Sequence, residues 1–145
     1  MVEYAGFWLR FGAAIIDGFC VLGISLAITL VISVPIGLMT GSGLTAAVLG
    51  YFILTLCSVM VRWIYFAKLE SSPEQATWGK QALGIKVTDL KGKRISFPRA
   101  TGRHFAKYLS ALPYCIGYAM IAFTRKKQGL HDFIASTLVV KAKTK

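Results

Sequence analysis

Two charged side chains, Asp17 and Arg62, close the ends of a long apolar run and are the first candidates for chemistry in this chain. No charged residue lies between them. An ionisable group inside a membrane costs about 2.5–3.5 kcal/mol or more, so its presence indicates a functional site. A carboxylate at that depth can serve a cation or a proton. The alternative is an Asp17–Arg62 ion pair that only fixes the register of two helices.

Arg10 and Asp132 complete the candidate residues for a ligand or ion pathway. Arg10 precedes Asp17 by seven residues, which places both on one helix face but about 10 Å apart along the axis, too far for a direct bond. Asp132 is expected either to begin a helix at the positive end of its dipole or to meet Arg10 at the cytoplasmic mouth. His104 lies in a basic stretch and is expected on the surface. No residue spacing indicates a catalytic dyad, a metal site or a cofactor site, so the sequence predicts a protein that is not an enzyme.

The apolar run predicts two membrane helices, at about residues 9–36 and 44–66. Each is longer than the roughly 20 residues that cross a bilayer. Pro35 marks the end of the first helix, and the polar turn at 40–43 separates the two. The turn carries no charge, whereas basic residues follow the second helix. The positive-inside rule therefore predicts a multi-pass protein of the plasma (inner) membrane with a cytoplasmic N-terminus.

The charge balance of the chain points to membrane lipids as partners. The formal net charge is +11, and 55% of the residues are hydrophobic. Cytoplasmic loops of membrane proteins keep Lys and Arg, where anionic headgroups attract them by about 1 kcal/mol per residue. No nucleic-acid recognition motif accompanies the charge, so nucleic acid is not predicted as a partner. Ala14/Gly18 and Ala46/Gly50 each have the spacing of small residues that pack helices closely, and intramolecular packing is favoured over dimerisation.

The polar region after the second span predicts a small cytoplasmic β-hairpin at about residues 80–100. Residues 83–89 alternate apolar and polar side chains, and residues 94–97 are expected to return as the second strand. A C-terminal strand at about 136–143 is expected to join the hairpin by pairing with residues 85–89. A third strand has a physical purpose, because an isolated two-stranded hairpin is marginal in water.

A third apolar segment, at about residues 104–124, is either a re-entrant pair of half-helices or a third span. Leu112 and Pro113 interrupt it, and basic residues flank both of its ends. Re-entry is favoured because it keeps both basic flanks in the cytoplasm. The predicted fold is therefore a single, mainly α membrane domain over residues 1–145. It has two transmembrane helices, this third helical segment and the hairpin with its added strand.

Three groups of residues, taken in order along the chain, resemble one known family. They are Gly6-Phe-Trp-Leu-Arg10 with Asp17, Trp78-Gly79-Lys80 with Leu83-Gly84-Ile85-Lys86-Val87, and Gln128-Gly-Leu130-His131-Asp132 with Ala135-Ser-Thr137-Leu-Val139-Val140. The pattern resembles the RDD family of small bacterial and archaeal membrane proteins, named for one arginine and two aspartates. The resemblance implies that these three residues are Arg10, Asp17 and Asp132. Transport has been suggested for the family, and some members resemble cation/proton antiporters, so the resemblance implies a transport-related role.

Two functions therefore compete. The first is a subunit of a transporter that exchanges a monovalent cation for protons at Asp17. Two spans and a re-entrant segment are too few to enclose a path, so this function requires a homo-oligomer or a membrane protein partner. The second is a non-transporting membrane factor that binds anionic lipid or a protein through its basic cytoplasmic face.

Single cysteines at positions 42 and 91 are expected to react from opposite sides of the membrane. Ser42 lies in the turn that is predicted outside, and Lys91 lies in the predicted cytoplasmic region. In a background without the three native cysteines, an impermeant maleimide on intact cells should label Ser42→Cys. It should leave Lys91→Cys unlabelled until the cells are permeabilised. Labelling of both from the same side would contradict this topology.

Overall fold

The structure, a computed structural model, describes residues 2–111 and 116–142 and begins with two long helices. Helix α1 spans Phe7–Thr40 and helix α2 spans Gly43–Glu70. Both are long and apolar enough to cross a membrane, with little of their apolar stretch buried by the rest of the protein. The sequence-based prediction of two apolar helices is confirmed, although both helices are longer than predicted. Six further elements follow in chain order: α3 (Trp78–Ala82), β1 (Ile85–Asp89), α4 (Phe97–Ala111), α5 (Ile116–Phe123), α6 (Leu130–Ile134) and β2 (Thr137–Lys141).

The prediction that Pro35 ends the first helix is wrong, because α1 continues past it to Thr40. The helix ends instead at Gly41, which has φ of +63° and donates its N–H to the carbonyl oxygen of Gly37 at 3.1 Å. Only glycine adopts this left-handed conformation without a steric penalty, so Gly41 is the residue that stops α1.

The chain divides into two compact units. The hairpin unit, Gly18–Ile64, contains most of α1 and α2, and the core unit contains Met1–Asp17 and Tyr65–Lys145. Within the hairpin unit, Ala46 faces Gly37 closely enough that a Cβ on Gly37 would lie 2.7 Å from the Ala46 Cβ. Gly50 similarly faces Ser33. The predicted close packing at Ala46 and Gly50 is therefore intramolecular. The same prediction is wrong at Gly18, where no described atom of another segment lies within 4 Å of an added Cβ.

A two-stranded antiparallel sheet forms the centre of the core unit. Strand β1 pairs with β2 in the register Ile85↔Lys141 to Asp89↔Thr137. The predicted pairing of the C-terminal strand with residues 85–89 is thus confirmed. The other edge of β2 receives the N-terminal segment, because the Ala5 N–H donates to the Val139 carbonyl oxygen at 2.9 Å.

The predicted β-hairpin at residues 80–100 is wrong. The chain does turn after β1, since the Asp89 N–H donates to the Lys93 carbonyl oxygen at 2.8 Å, but no strand follows and α4 begins at Phe97. The reason is that the outer edge of β1 is already occupied. Val87 donates its N–H to the Gln75 carbonyl oxygen at 2.7 Å and accepts a bond from the Gln75 side-chain amide at 3.1 Å.

The third apolar segment consists of two short helices, α4 and α5, rather than one spanning helix. At about 1.5 Å per residue, neither 15 nor 8 residues cross a hydrocarbon core of about 30 Å. The two helices pack against each other, because a Cβ on Gly117 would lie 2.7 Å from the Ser110 Cα. The predicted interruption at Leu112 and Pro113 lies outside the described residues, and entry of the pair into the membrane stays a prediction.

Helix α4 has an inverted distribution of polar and apolar side chains. Its buried side carries Arg103, His104 and Ser110, whereas Tyr108 and Leu109 are about half exposed. The prediction that His104 lies on the surface is wrong, since only 3% of this residue is exposed. An amphipathic helix of a soluble protein has the opposite arrangement, with its apolar side chains facing the core.

Candidate functional site

Three of the six acidic residues of the chain are fully buried in the core unit. They are Asp17 in α1, Glu70 at the end of α2 and Asp132 in α6. A buried carboxylate needs hydrogen-bond donors or cations around it, because loss of water disfavours its charged form. The groups that surround these three acids therefore define the candidate site.

Asp17 receives three hydrogen bonds, all from neutral donors. The Tyr65 hydroxyl and the Gly79 N–H both donate to Oδ1 at 2.8 Å, and the Thr77 hydroxyl donates to Oδ2 at 2.6 Å. The Tyr65 oxygen in turn accepts the N–H of Trp78 at 3.2 Å. The carboxylate thus attaches the first turn of α3 to α1 and to the end of α2.

Gly79 is the point where α3 approaches α1 most closely. A Cβ at this position would overlap the Ala13 carbonyl oxygen and lie 2.8 Å from Oδ1 of Asp17. Any side chain here would therefore displace the Gly79 N–H from the carboxylate. The sequence signal was the Trp78-Gly79-Lys80 motif, which had no assigned chemistry before the structure placed it.

Asp132 lies between two arginines. Oδ2 pairs with Arg10 and accepts the Gly129 N–H at 3.2 Å, whereas Oδ1 accepts the Arg103 Nε at 2.9 Å. Arg10 also donates from Nε to the Ala5 carbonyl oxygen at 3.0 Å. The predicted contact of Arg10 with Asp132 is confirmed, and the carboxylate also bonds the N-terminus of α6, while the predicted place of this contact at a cytoplasmic mouth stays a prediction.

Arg103 connects Asp132 to Glu70. Its Nη1 donates to Oε2 of Glu70 at 2.6 Å, and its Nη2 lies 2.8 Å from Oδ1 of Asp132. The other Glu70 oxygen, Oε1, pairs with Lys80 and lies 3.6 Å from the Lys107 Nζ. These side chains form one ion network of two carboxylates and four cations: Arg10, Glu70, Lys80, Arg103, Lys107 and Asp132.

The ion network changes the protonation equilibria of its members. Burial alone would lower the pKa of Arg103, but Glu70 and Asp132 outweigh it and raise that pKa. Burial would raise the pKa of Asp132, but Arg103 and Arg10 hold it well below its usual range. Burial lowers the pKa of Lys80, although Glu70 opposes the change. The Asp132 carboxylate is therefore ionised across the whole physiological range.

His131 lies beside the network as a neutral side chain. Its Nδ1 is 3.2 Å from the Ser110 hydroxyl, and its Nε2 is 3.5 Å from Oδ1 of Asp132. Burial lowers the pKa of His131 to about 3, since the attraction of Asp132 is offset by the cations around it. A proton on His131 would add a further positive charge to a site that already has a surplus.

The fourth predicted site residue, Arg62, belongs to the hairpin unit and has an exposed side chain. Its predicted pairing with Asp17 stays a prediction. Sequence reasoning missed Glu70, Lys80, Arg103 and Lys107. The sequence did contain one signal for these residues. In a chain of net charge +11, basic residues greatly outnumber acidic ones, so each carboxylate next to an apolar segment is expected to pair with a cation.

The arrangement holds charge in place rather than offering open coordination. Every oxygen of Asp17, Glu70 and Asp132 has at least one donor or cation. Within residues 2–111 and 116–142, no group of three or more His, Cys, Asp or Glu side chains is placed to hold a metal ion.

The chain is similar to known proteins over nearly its whole length. The model of the RDD family matches residues 4–136. The uncharacterized protein YxaI of Bacillus subtilis (strain 168) is 37% identical over 97% of this chain and 99% of its own length. The uncharacterized membrane protein YteJ of the same organism is 32% identical over 97% of this chain and 82% of its own. No solved structure matches.

Gly79→Ala is expected to destabilise the protein, by about 1–3 kcal/mol, because the added methyl group enters an already filled contact with Ala13 and Asp17. Gly102→Ala is the matched control. It lies in α4 with nothing within 4 Å of the new Cβ, and alanine there should be neutral or stabilise the helix by up to about 1 kcal/mol. Thermal unfolding in detergent measures both. Equal effects of the two substitutions would contradict the close approach.

Stability is expected to fall as the pH is lowered from about 6.5 towards 3. The unfolded chain binds a proton on His131 below its ordinary pKa of 6.5, whereas the folded state binds it only near 3, so acid favours the unfolded state in this window. His131→Gln should flatten the decline, as measured by unfolding at a series of pH values. Glu3→Gln, at an exposed acid, should keep it. An unchanged slope in His131→Gln would contradict the neutral buried histidine.

Proposed function

Because this chain belongs to the RDD family and carries two helices able to cross a membrane, we propose that it is a non-enzymatic membrane factor that binds anionic lipid. In this proposal, α1 and α2 anchor it in the plasma (inner) membrane with the core unit on the cytoplasmic side. The core unit lies in the headgroup layer and carries the function. The observation that carries the proposal is the inverted polarity of α4.

The outer face of α4 suits the boundary between headgroups and acyl chains. Phe105, Tyr108 and Leu109 are each about half exposed, whereas Arg103 behind them is 2% exposed. In water, a contiguous apolar face of this kind favours aggregation or partner binding. At a bilayer surface, it is the face that an interfacial helix buries. Trp8 and Phe123, 77% and 88% exposed, add aromatic and apolar surface to the same unit.

The exposed charges of the core unit are strongly basic. Within its described part, Glu3 and Glu74 are exposed and Asp89 is partly exposed, whereas Asp17, Glu70 and Asp132 are buried in internal contacts. Each exposed basic residue near an anionic bilayer contributes about 1 kcal/mol of attraction. Nine basic residues are exposed there: Lys68, Lys91, Lys93, Arg94, Arg99, Arg125, Lys126, Lys127 and Lys141.

Lipid composition is therefore expected to set the stability of the protein. In nanodiscs that contain phosphatidylglycerol, its unfolding temperature should be higher than in nanodiscs of phosphatidylcholine alone. The gain should shrink at about 1 M salt, where the Debye length is about 3 Å. A Lys91, Lys93 and Lys126 triple substitution to glutamine should lose most of the gain, and the same triple substitution to arginine should keep it. Equal stability in both lipids would contradict the proposal.

Cation/proton exchange at Asp17 is the second candidate function. The observation that favours it is that Asp17 is fully buried in a helix able to span the membrane and is held by neutral donors. This function requires a homo-oligomer or a membrane protein partner, because two spans do not enclose a path.

Asp17→Asn separates the two functions. The amide keeps an oxygen towards Tyr65 and Gly79, while its NH₂ group can donate to the Thr77 hydroxyl oxygen, so the variant should fold. If exchange occurs, wild-type proteoliposomes should show pH-dependent Na⁺ or K⁺ flux, and Asp17→Asn should lose it while exposed Glu74→Gln retains it. Absence of wild-type flux, or equal flux in folded Asp17→Asn, would reject transport.

A further inference from the structure

The ion network of the core unit has more positive than negative charge. Among the described residues, Arg10, Arg103, Lys80 and Lys107 make ion pairs with two carboxylates, those of Glu70 and Asp132. A surplus charge inside a protein is expensive unless a further group compensates it. Asp17 also attracts Lys80, because its own three hydrogen bonds come from neutral donors and leave its charge uncancelled. Four cations then still face three carboxylates, and an external anion would balance the remaining positive charge.

The surplus is concentrated at Lys107. Arg10 and Arg103 make close contacts with Asp132, and Arg103 and Lys80 make close contacts with Glu70. The Lys107 Nζ, by contrast, is 3.6 Å from Oε1 of Glu70, an oxygen that Lys80 already uses. Its second neighbour is the Phe66 ring, 4.0 Å from the ring centroid. Lys107 is thus the most weakly paired cation of the network.

Lys107 is also the member of the network that an external group can reach. Its side chain is 20% exposed, compared with 9% or less for each other member. An ammonium group has three donors, and within the described part of the chain none of them has an acceptor at hydrogen-bonding distance. Lys80 and Arg103 lie behind it and add to the positive potential at this opening.

We propose that Lys107, with Lys80 and Arg103 behind it, is a binding site for a phosphate oxyanion, supplied by the headgroup of an anionic lipid. A phosphodiester oxygen provides the acceptor that the ammonium lacks and balances part of the surplus charge. Lys107 lies on α4 immediately before Tyr108, whose side chain faces outward. The lipid source rests on the proposed function, whereas the oxyanion site itself rests on the network.

Burial and the neighbouring cations support this assignment. Burial lowers the pKa of Lys107 to about 7, Glu70 opposes the change, and Lys80 and Arg103 lower it further. A bound oxyanion would act in the opposite direction and keep the amine protonated.

Binding of single dispersed lipids tests the site. Dioctanoyl-phosphatidylglycerol below its micelle concentration, added to the protein in nonionic detergent, should bind more tightly than dioctanoyl-phosphatidylcholine. Lys107→Gln should weaken this binding about tenfold or more, the loss of one charge-assisted hydrogen bond. Lys86→Gln is the control, because Lys86 is a partly exposed lysine of β1 outside the ion network. This variant should change the affinity for the dispersed lipid less than about twofold. Equal losses in the two variants, or none in Lys107→Gln, would overturn the site.

Two further measurements separate the causes of a negative result. Lys107→Gln removes a surplus charge and should unfold at the same or a higher temperature, whereas Arg103→Gln leaves two carboxylates with fewer partners and should unfold lower. A lower unfolding temperature for Lys107→Gln would contradict the charge surplus. Inorganic phosphate is the second ligand. Lys107-dependent binding of phosphate without binding of either lipid would support the oxyanion site and reject both the lipid source and the proposed function.

Discussion

The bond of the Arg103 guanidinium to two buried carboxylates is the interaction on which the core unit depends. Glu70 ends α2, Arg103 lies in α4 and Asp132 lies in α6, so one planar side chain fixes the positions of three elements. Arginine suits this position because its donors are fixed in a fork and its charge persists when buried. Arg10 extends the same connection to the start of α1 through the second Asp132 oxygen. Removing one partner of such a pair leaves an uncompensated buried charge, at a cost of about 3–5 kcal/mol.

Asp17 holds the remaining part of the unit by different chemistry. Neutral hydroxyl and amide donors surround it, and Gly79 is required because α3 approaches α1 without space for a Cβ. The buried carboxylates of Asp132 and Asp17 are thus stabilised in two different ways. One carboxylate is stabilised by cations and stays ionised, and the other is stabilised by directed hydrogen bonds. Arg10 contacts one of these two aspartates, Asp132.

Sequence reasoning succeeded where the determinant was local. An uncharged run of sufficient length predicts a membrane helix, and matching alternation in two segments predicted the β1–β2 pairing. It failed where the determinant was a distant partner. Residues 94–97 do not form a strand because Gln75 occupies the edge of β1. Helix α2 continues to Glu70 because Arg103 and Lys80 neutralise that acid. Counting residues does not give the direction of the Asp17 side chain, so its neutral partners were not predicted.

The contact between the N-terminal segment and β2 has a consequence for the biogenesis of the protein. Ala5 donates to Val139, and Glu3 accepts from Lys141, so the segment before α1 pairs with a strand that is synthesised well after both apolar helices. Both apolar helices emerge from the ribosome long before residues 137–141 are synthesised. Insertion into the bilayer must therefore precede closure of the core unit. During this interval Arg10 lacks its partner Asp132, whereas the partners of Asp17, Thr77 and Gly79, follow soon after the second helix.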